Sequence, residues 1–358
     1  MDNVMIFPYH PDVDILAAWM EHLKNVHIVG VCSFKEDFST TNAINEKLDG
    51  IFDFDEIFEK SDTILFLDNY RHCKPEKYYE VIEKGIALKK KILFTPLAEK
   101  ELDLNKYIGN YGIFENIPVL DVPETELVKH QGNKKYDIDI PIISILGMGK
   151  NCGKFETQLL LKTAFDNQGY HAAWLSSNPL SALFQGYTMP DFMYDEKMGF
   201  QEKVLQFNHF IYKLSIVEKP DVFIIGVPEG ILEFERFEYN HFAEYPLVIG
   251  RAVQTDFAIL NTYFLDNPST SGIERLAKHT SEKFGFPIRG IFIGKTGFEA
   301  VEGKKEIVYS YFDDSYLSNQ YCFAGECSFP VLTLWDFGNS MHMVDLIIKQ
   351  LQNNLDVL

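Results

Sequence analysis

Basic residues are scarce in this chain. Its 358 residues include 33 lysines and arginines against 52 aspartates and glutamates, which gives a formal net charge of −19 at pH 7. A surface of that sign repels nucleic-acid backbones and anionic lipid headgroups. The composition therefore argues against a nucleic acid or a membrane as the main partner.

Cysteine is also rare, and long apolar runs are missing. The five cysteines are odd in number and scattered along the sequence, a pattern typical of free thiols in a reducing compartment. No apolar stretch reaches the roughly 18 residues that a membrane-spanning helix needs. The opening residues, MDNVMIFPYHPDVD, have no basic segment ahead of an apolar run. We therefore expect no secretory signal and a cytoplasmic location.

Large apolar side chains, by contrast, are plentiful. Hydrophobic residues make up 46% of the chain, among them 30 phenylalanines and 18 tyrosines. Such a composition is that of a globular protein, and the length exceeds what one ordinary core holds. We predict a first domain over 1–120, a charged linker over 121–139, and a second domain over 140–358.

Strand-like and helix-like segments alternate in both domains. The strand-like runs are 3–7, 27–33, 63–67, 91–95, 142–146, 171–175, 221–227, 256–260 and 289–293. Helical patterns cover 15–23, 76–89, 202–217 and 341–351, and another begins near 154. Such alternation predicts an α/β fold in which parallel sheets carry helices on both faces.

The first strand does not lead into a dinucleotide-binding turn, although its domain looks Rossmann-like. It runs into Pro8-Tyr9-His10-Pro11 instead of G-x-G-x-x-G. Prolines lack the amide donors that a pyrophosphate needs. His10 follows the carboxyl end of the strand, where ligands bind in such sheets, and is a candidate substrate contact.

The most informative segment is the glycine-rich stretch that reads ILGMGKNCGKFET over 145–157. Its glycines allow successive N–H groups to turn toward one anion. The helix that begins beside Gly153 adds unpaired amides and the positive end of its dipole. Lys154 adds a mobile cation for terminal phosphates. The segment predicts a P-loop, so we expect a P-loop NTPase-like α/β domain after the Rossmann-like parallel-sheet domain.

This segment departs from the common pattern G-x4-G-K-[ST]. Five residues separate Gly147 from Gly153, and Phe155 stands where a magnesium-binding hydroxyl residue is expected. Thr157 or Glu156 could take that role. The alternative is a plain strand-to-helix turn with a lysine in solvent.

A second strand-like segment is followed by an acidic residue. The apolar run 221–227 has the pattern of a central strand, and Glu229 follows it. An acid at the carboxyl end of such a strand is a candidate for holding Mg²⁺, directly or through water. The alternative is an ordinary loop carboxylate.

The loop spacing resembles the dethiobiotin-synthetase branch of P-loop proteins, which also reads G-x5-G-K. The chain is more closely similar to a two-domain family that includes N-acetyltransferases of D-glutamate, whose loop reads G-x-x-C-x-x-G-K-x-T-T. Gly147, Gly153, Lys154 and Thr157 match that loop, whereas Glu156 replaces its first threonine. The family's T-G-Q-T-G turn is replaced here by SSNPL over 176–180.

Length, domain order and these divergent motifs together resemble a clostridial family named for peptide maturation systems. Its members are encoded beside radical-SAM enzymes in peptide natural-product clusters. The resemblance implies a role in making or modifying a ribosomal peptide, with a peptide-modifying enzyme as a partner.

These observations assign candidate roles to individual residues. The candidate cofactor-binding residues are Gly147, Gly149, Lys150, Asn151, Cys152, Gly153, Lys154, Phe155, Glu156 and Thr157. Lys154 and Glu229 are the candidate catalytic residues, with Thr157 and Glu229 as metal ligands. Ser176 and Ser177, together with His10, are the candidate substrate contacts.

Three functions stay open at this point. The first is an ATP- and Mg²⁺-dependent protein, ligase-like or kinase-like, that acts in peptide maturation. The second is an N-acyltransferase whose P-loop holds the pyrophosphate of acetyl-CoA or another acyl-CoA. The third is a non-catalytic scaffold with a degenerate nucleotide site. The substrate would be a peptide or a small molecule, and a homo-oligomer is compatible with each.

Overall fold

The apolar runs of the sequence form two mainly parallel sheets and an antiparallel hairpin in the computed structural model. Residues 121–133 of the predicted linker, and Cys73, lie outside the described residues. The structure describes residues 2–23, 25–33, 44–48, 50–51, 53–68, 74–115, 117, 134–233, 240–301, 306–323, 325–336 and 338–355.

The chain divides into two units. One comprises Met1–Asn116 with Pro179–Thr188, and the other comprises Ile117–Asn178 with Met189–Leu358. Each unit is described by itself below.

The first unit contains a parallel sheet in the order β2-β1-β3-β4-β5. Its strands are β1 (Asp2–Phe7), β2 (Val26–Val31), β3 (Thr63–Phe66), β4 (Lys91–Phe94) and β5 (Gly112–Ile113). Its helices are α1 (Val13–Ala18), α2 (Phe54–Lys60), α3 (Glu76–Ala87) and α4 (Pro96–Glu101), with 3₁₀ turns at Met20–His22 and Asn105–Tyr107.

The prediction of a single helix over 15–23 is wrong. Helix α1 ends at Ala18, and a 3₁₀ turn follows at Met20–His22. The break lies at Trp19, whose backbone leaves the helical region at φ −116° and ψ 18°. The backbone N–H of Trp19 donates to the carbonyls of both Ile15 and Leu16, which tightens the last turn of α1.

Aromatic rings fill the core of the first unit, as the composition predicts. The rings of Phe66 and Phe94, on neighbouring strands β3 and β4, stack with centroids 4.7 Å apart. Phe7 meets Phe66 edge-on at 5.9 Å, and Tyr78 from α3 lies 5.6 Å from Phe7. These rings come from three neighbouring strands of the sheet and from α3, so their contacts hold the helix against the sheet.

The strands of the second unit are β6 (Ile142–Gly147), β7 (Ala172–Ser176), β9 (Val222–Gly226), β10 (Phe257–Thr262), β11 (Ile288–Ile293) and β14 (Val331–Thr333). They lie in one sheet in the order β14-β11-β10-β6-β9-β7. The helices of this unit are α5 (Lys154–Asn167), α6 (Phe200–Glu218), α7 (Glu244–Ala252), α8 (Thr270–Phe284), α9 (Asp314–Gln320) and α10 (Gly338–Leu355). Short 3₁₀ turns of this unit lie at Asp191–Tyr194 and His241–Ala243. The segment Pro179–Thr188, which belongs to the first unit, contains a 3₁₀ turn at Pro179–Phe184 and the short strand β8 (Tyr187–Thr188).

Strand β6 is the centre of this sheet. It pairs in parallel with β9 on one side and with β10 on the other. All six of its residues are buried, which is the pattern of a strand covered on both faces. The carboxyl ends of β6, β9 and β10 therefore lie side by side, at the edge where open α/β sheets bind ligands.

A hairpin that the sequence patterns did not predict follows β11. Strands β12 (Thr296–Val301) and β13 (Glu306–Tyr311) pair antiparallel and form a sheet of their own. Among the described helices, none combines the length and apolar content that crossing a bilayer demands. The described cysteines Cys32, Cys152, Cys322 and Cys327 are free thiols, as predicted.

Phe223 on β9 tests the packing of the second unit. Its ring is fully buried, so Phe223→Ala should lower the free energy of unfolding by about 3–5 kcal/mol, the usual loss for a buried phenylalanine. The matched control is Phe200→Ala, because Phe200 is exposed at the start of α6. Urea denaturation followed by circular dichroism measures both variants. Equal losses in the two variants would contradict the assignment of β9 to the interior.

Candidate functional site

A glycine-rich turn, residues 148–153, joins β6 to α5. The strand ends at Gly147 and the helix begins at Lys154, so the predicted strand–turn–helix arrangement is confirmed. Two turn residues adopt left-handed backbone angles: Asn151 at φ 56° and Gly153 at φ 89°. Glycine and asparagine are the residues that tolerate this region best. The local sequence therefore permits the sharp reversal directly before the helix.

Several N–H groups at this turn and helix start have no acceptor among the residues that the structure describes. Within the described part of the chain, the amides of Gly149, Asn151, Gly153 and Lys154 donate no hydrogen bond. The first intrahelical bond of α5 runs from the Thr157 N–H to the Gly153 carbonyl. Unpaired donors at a helix start, with the positive end of the helix dipole, favour a negatively charged group.

The Lys154 ammonium lies over the same turn. Its Nζ donates to the carbonyl oxygen of Gly149 at 3.0 Å and to the carbonyl oxygen of Glu229. The Cys152 thiol, fully buried, also donates to the Gly149 carbonyl at 3.2 Å. A Cβ at Gly147 would lie 2.3 Å from the Cys152 sulfur and 3.0 Å from Lys154 Nζ. Only glycine at the end of β6 lets both side chains close over the strand.

The segment after β9 forms one wall of the turn. The Ile231 N–H donates to the Gly147 carbonyl at 2.9 Å, and the Leu232 N–H donates to the Met148 carbonyl at 3.1 Å. A Cβ at Gly230 would lie 2.3 Å from the Gly149 Cα and 2.6 Å from the Met148 oxygen. Backbone packs directly on backbone here, so the wall holds the shape of the turn.

The Glu229 side chain faces an imidazole. Glu229 has a left-handed backbone at φ 54°, and its Oε1 lies 4.0 Å from His241 Nε2. His241, Phe242 and Ala243 are three consecutive left-handed residues, at φ 50°, 52° and 57°. Each such non-glycine residue costs of order 1–3 kcal/mol. The backbone is thus strained on both sides of the carboxylate–imidazole pair.

Aromatic side chains surround this pair. The ring of Tyr245 lies 5.2 Å from the His241 ring and 5.6 Å from the Tyr194 ring. Burial raises the pKa of the Tyr194 hydroxyl, and the neighbouring Tyr245 and Glu229 side chains raise it further. Tyr194 therefore stays a neutral hydrogen-bonding group at any physiological pH.

Asn261 is a site residue that the sequence patterns missed. It lies near the end of β10, and its Nδ2 donates to Thr157 Oγ1 at 2.6 Å and to the Cys152 carbonyl at 3.4 Å. Its Oδ1 is buried and has no hydrogen-bond partner among the described residues. The available signal was a polar Asn-Thr pair closing the otherwise apolar strand FAILNT. A buried acceptor of this kind beside Thr157 suits a cation or a water molecule.

Glu156 and Phe155 have other partners in this structure. Glu156 Oε1 lies 2.9 Å from Lys295 Nζ, and Lys295 also pairs with Asp314 at 3.1 Å. Burial raises the pKa of the Glu156 carboxyl, and the Lys295 ammonium offsets part of that rise. Burial opposes the charge on Lys295, but the two carboxylates outweigh it and raise the lysine pKa. The buried Phe155 ring stacks on Trp174 of β7.

The predicted substrate contacts occur in different units. Ser176, at the end of β7 in the second unit, is buried, and its Oγ accepts from the Asn178 N–H at 3.1 Å. Ser177 is partly exposed. His10, in the first unit, accepts from the Asp12 N–H through Nδ1 at 3.2 Å, and its Nε2 lies 3.5 Å from Asp68. Their role as substrate contacts stays a prediction.

Comparison with known proteins supports the architecture. No family model matches the chain, and no curated protein matches it significantly. A DUF1611 family protein from Anabaena variabilis aligns with a TM-score of 0.52 over 82% of this chain and 88% of that chain, at 12% identity. A nucleotide-binding protein in complex with ADP from Archaeoglobus fulgidus aligns with a TM-score of 0.32 over 57% of this chain and 85% of that chain, at 15% identity. The first alignment supports a shared fold and nothing more. The TM-score of the second alignment is too low to support a shared fold. The chain therefore has the predicted α/β fold.

Gly230 tests how the wall holds the turn. Gly230→Ala should lower the free energy of unfolding by about 1–3 kcal/mol, because its methyl group would meet backbone atoms that cannot move aside. Gly199→Ala is the matched control, since a Cβ there meets no atom within 4 Å. Urea denaturation compares the two variants. A Gly230→Ala protein as stable as Gly199→Ala would contradict this packing.

Proposed function

We propose that the glycine-rich turn is a P-loop that binds the phosphates of a nucleotide, ATP in the first instance. The observation that carries the proposal is the coincidence of four unpaired amides with the Lys154 ammonium at one helix start. A phosphate offers acceptors to all of these donors at once, and its charge complements both the dipole and the lysine. The predicted roles of residues 147–157 rest on this coincidence.

Lys154 would exchange partners when a phosphate binds. Its present partners are two neutral carbonyls, those of Gly149 and Glu229. A bond from an ammonium to a phosphate is charge-assisted and stronger than a bond to a carbonyl. The ammonium would therefore leave the carbonyls for the terminal phosphate, and it would stabilise charge that develops there during phosphoryl transfer.

Mg²⁺ fits the oxygen donors beside the turn. Within the described residues, no three His, Cys, Asp or Glu side chains gather closely enough to hold a metal ion by themselves. Mg²⁺ bound to a nucleotide needs only one or two protein oxygens, because phosphates and water complete its shell. The Thr157 hydroxyl and the buried Asn261 Oδ1 are oxygens of this type. Glu229 would act through water, because its backbone carbonyl already accepts from Lys154 and its carboxylate follows β9 beside the turn.

Acyl-CoA is the second candidate ligand, and one observation favours it. Glu156, one of the predicted metal-site acids, is already paired with Lys295. That pairing leaves fewer carboxylates for a metal, and the pyrophosphate of CoA binds without one. The turn would then hold the pyrophosphate during N-acyl transfer. The peptide acceptor in either reaction rests on the sequence resemblance alone.

Lys154→Ala tests the nucleotide proposal. Isothermal titration calorimetry with Mg·ATP should show binding to the wild type and an affinity about 10- to 100-fold weaker in Lys154→Ala, the usual loss of a hydrogen bond to a charged group. Lys278→Ala is the charge-matched control, because Lys278 is exposed on α8 and, within the described ranges, pairs only with Glu282 of the same helix. That variant should bind like the wild type.

The same titration distinguishes the candidate ligands. Binding of acetyl-CoA in place of Mg·ATP, with the same loss in Lys154→Ala, would assign the turn to CoA. Failure of the wild type to bind Mg·ATP, acetyl-CoA and inorganic tripolyphosphate would reject the P-loop and leave the scaffold function.

A further inference from the structure

Three aromatic rings form a cluster beside the glycine-rich turn. In the hairpin, Phe298 on β12 lies directly opposite Tyr309 on β13, so both side chains are on one face of the ribbon. The ring of Tyr263, which follows β10, lies 4.5 Å from the Phe298 ring and 6.1 Å from the Tyr309 ring. We call Tyr263, Phe298 and Tyr309 the aromatic cluster.

Hydrogen bonds connect the aromatic cluster to the turn. The Tyr263 hydroxyl donates to the Lys150 carbonyl at 2.7 Å. The hairpin itself starts against the turn, because a Cβ at Gly294 would lie 2.7 Å from the Cys152 carbonyl oxygen. The Phe264 N–H donates to the Thr296 carbonyl at 2.8 Å, which ties the end of β10 to the base of the hairpin. The rings are therefore held at a fixed position relative to the unpaired amides.

The exposure of the cluster is uneven. Tyr263 is buried and anchors the cluster, Tyr309 is partly buried, and Phe298 keeps 39% of its surface exposed. The exposed part of the Phe298 ring is apolar, so its contact with water is unfavourable in free energy. It matches the flat apolar face of a nucleobase, which stacks on aromatic side chains.

Polar groups lie between the turn and the hairpin. Lys295, the residue before β12, pairs with Glu156 in the first turn of α5 and with Asp314 at the start of α9. The Asp314 side chain is half exposed. Carboxylates at this position offer acceptors for the hydroxyl groups of a ribose. An apolar face on the hairpin, with such acceptors paired to the residue before β12, is complementary to a nucleoside.

We propose that the aromatic cluster is the base-binding subsite, with Phe298 stacking on the purine of the nucleotide whose phosphates bind the turn. The subsite rests on the proposed phosphate site, to which Tyr263 joins it. A purine is the expected base because its two rings cover more of the Phe298 face than a pyrimidine does. ATP and CoA share this adenine moiety, so the subsite serves either ligand.

Comparing ATP with inorganic tripolyphosphate isolates the contribution of the nucleoside, and the Phe298 variant then tests the base. Both ligands carry the same phosphate chain, and only ATP has a base to stack. Calorimetric titrations with each ligand, in Mg²⁺, should show ATP binding the wild type more tightly than tripolyphosphate. Phe298→Ala should weaken ATP by roughly 5- to 150-fold, the range for loss of one stacked base. The same variant should leave tripolyphosphate affinity unchanged, and Phe298→Tyr should restore ATP binding.

Val308→Ala is the matched control within the hairpin. Val308 neighbours Tyr309 on β13, so its exposed side chain lies on the opposite face of the ribbon. This variant should bind both ligands like the wild type, which supports a specific role for the aromatic face.

Four results would overturn the subsite. Unchanged ATP affinity in Phe298→Ala, or equal weakening of both ligands, would show that the ring does not stack on the base. Tripolyphosphate binding as tightly as ATP to the wild type would reject the subsite and keep the phosphate site. Binding of neither ligand would reject the phosphate site and the subsite together.

Discussion

The whole site depends on one constraint, which is that a peptide N–H needs an acceptor from the protein, from water or from a ligand. The turn between β6 and α5 leaves the amides of Gly149, Asn151, Gly153 and Lys154 without one among the described residues. Part of this deficit is common to every helix start, but here a lysine ammonium lies over the same atoms. An anion satisfies all of these groups together, whereas a carbonyl or a hydroxyl satisfies only one.

The surrounding structure keeps this arrangement from collapsing. On one side the segment after β9 bonds to the Gly147 and Met148 carbonyls and packs Gly230 against Gly149. On the other side Tyr263 and Asn261 bond to the Lys150 and Cys152 carbonyls. These carbonyls are thus bound by protein donors, while the N–H groups of Gly149, Asn151, Gly153 and Lys154 have no acceptor among the described residues. This asymmetry is what a preorganised anion site requires, because the turn need not reorganise when the ligand arrives.

The part of the site formed by one continuous segment could be predicted from sequence, whereas the contacts from residues distant in sequence could not. Residues 142–157 contain the strand, the glycines, Lys154 and the helix start in direct succession. The hydrophobic pattern and the positions of the glycines are therefore enough to predict them. Asn261 contacts the turn, and His241 faces Glu229, from elements far along the chain. Nothing in their local sequence specifies those contacts. The hairpin β12–β13 was missed because its short polar-and-aromatic strands lack a continuous apolar run. The ion pair of Glu156 was missed for the same reason, since its partner Lys295 is distant in sequence.

The most direct test observes the turn amides themselves. In protein labelled with ¹⁵N-glycine, inorganic tripolyphosphate should shift the amide resonances of Gly149 and Gly153, assigned by substitution, and leave Gly199 and Gly285 unchanged. Lys154→Ala should require a higher phosphate concentration for the same shifts. Unmoved Gly149 and Gly153 resonances at saturating tripolyphosphate would contradict the claim that these amides bind an anion.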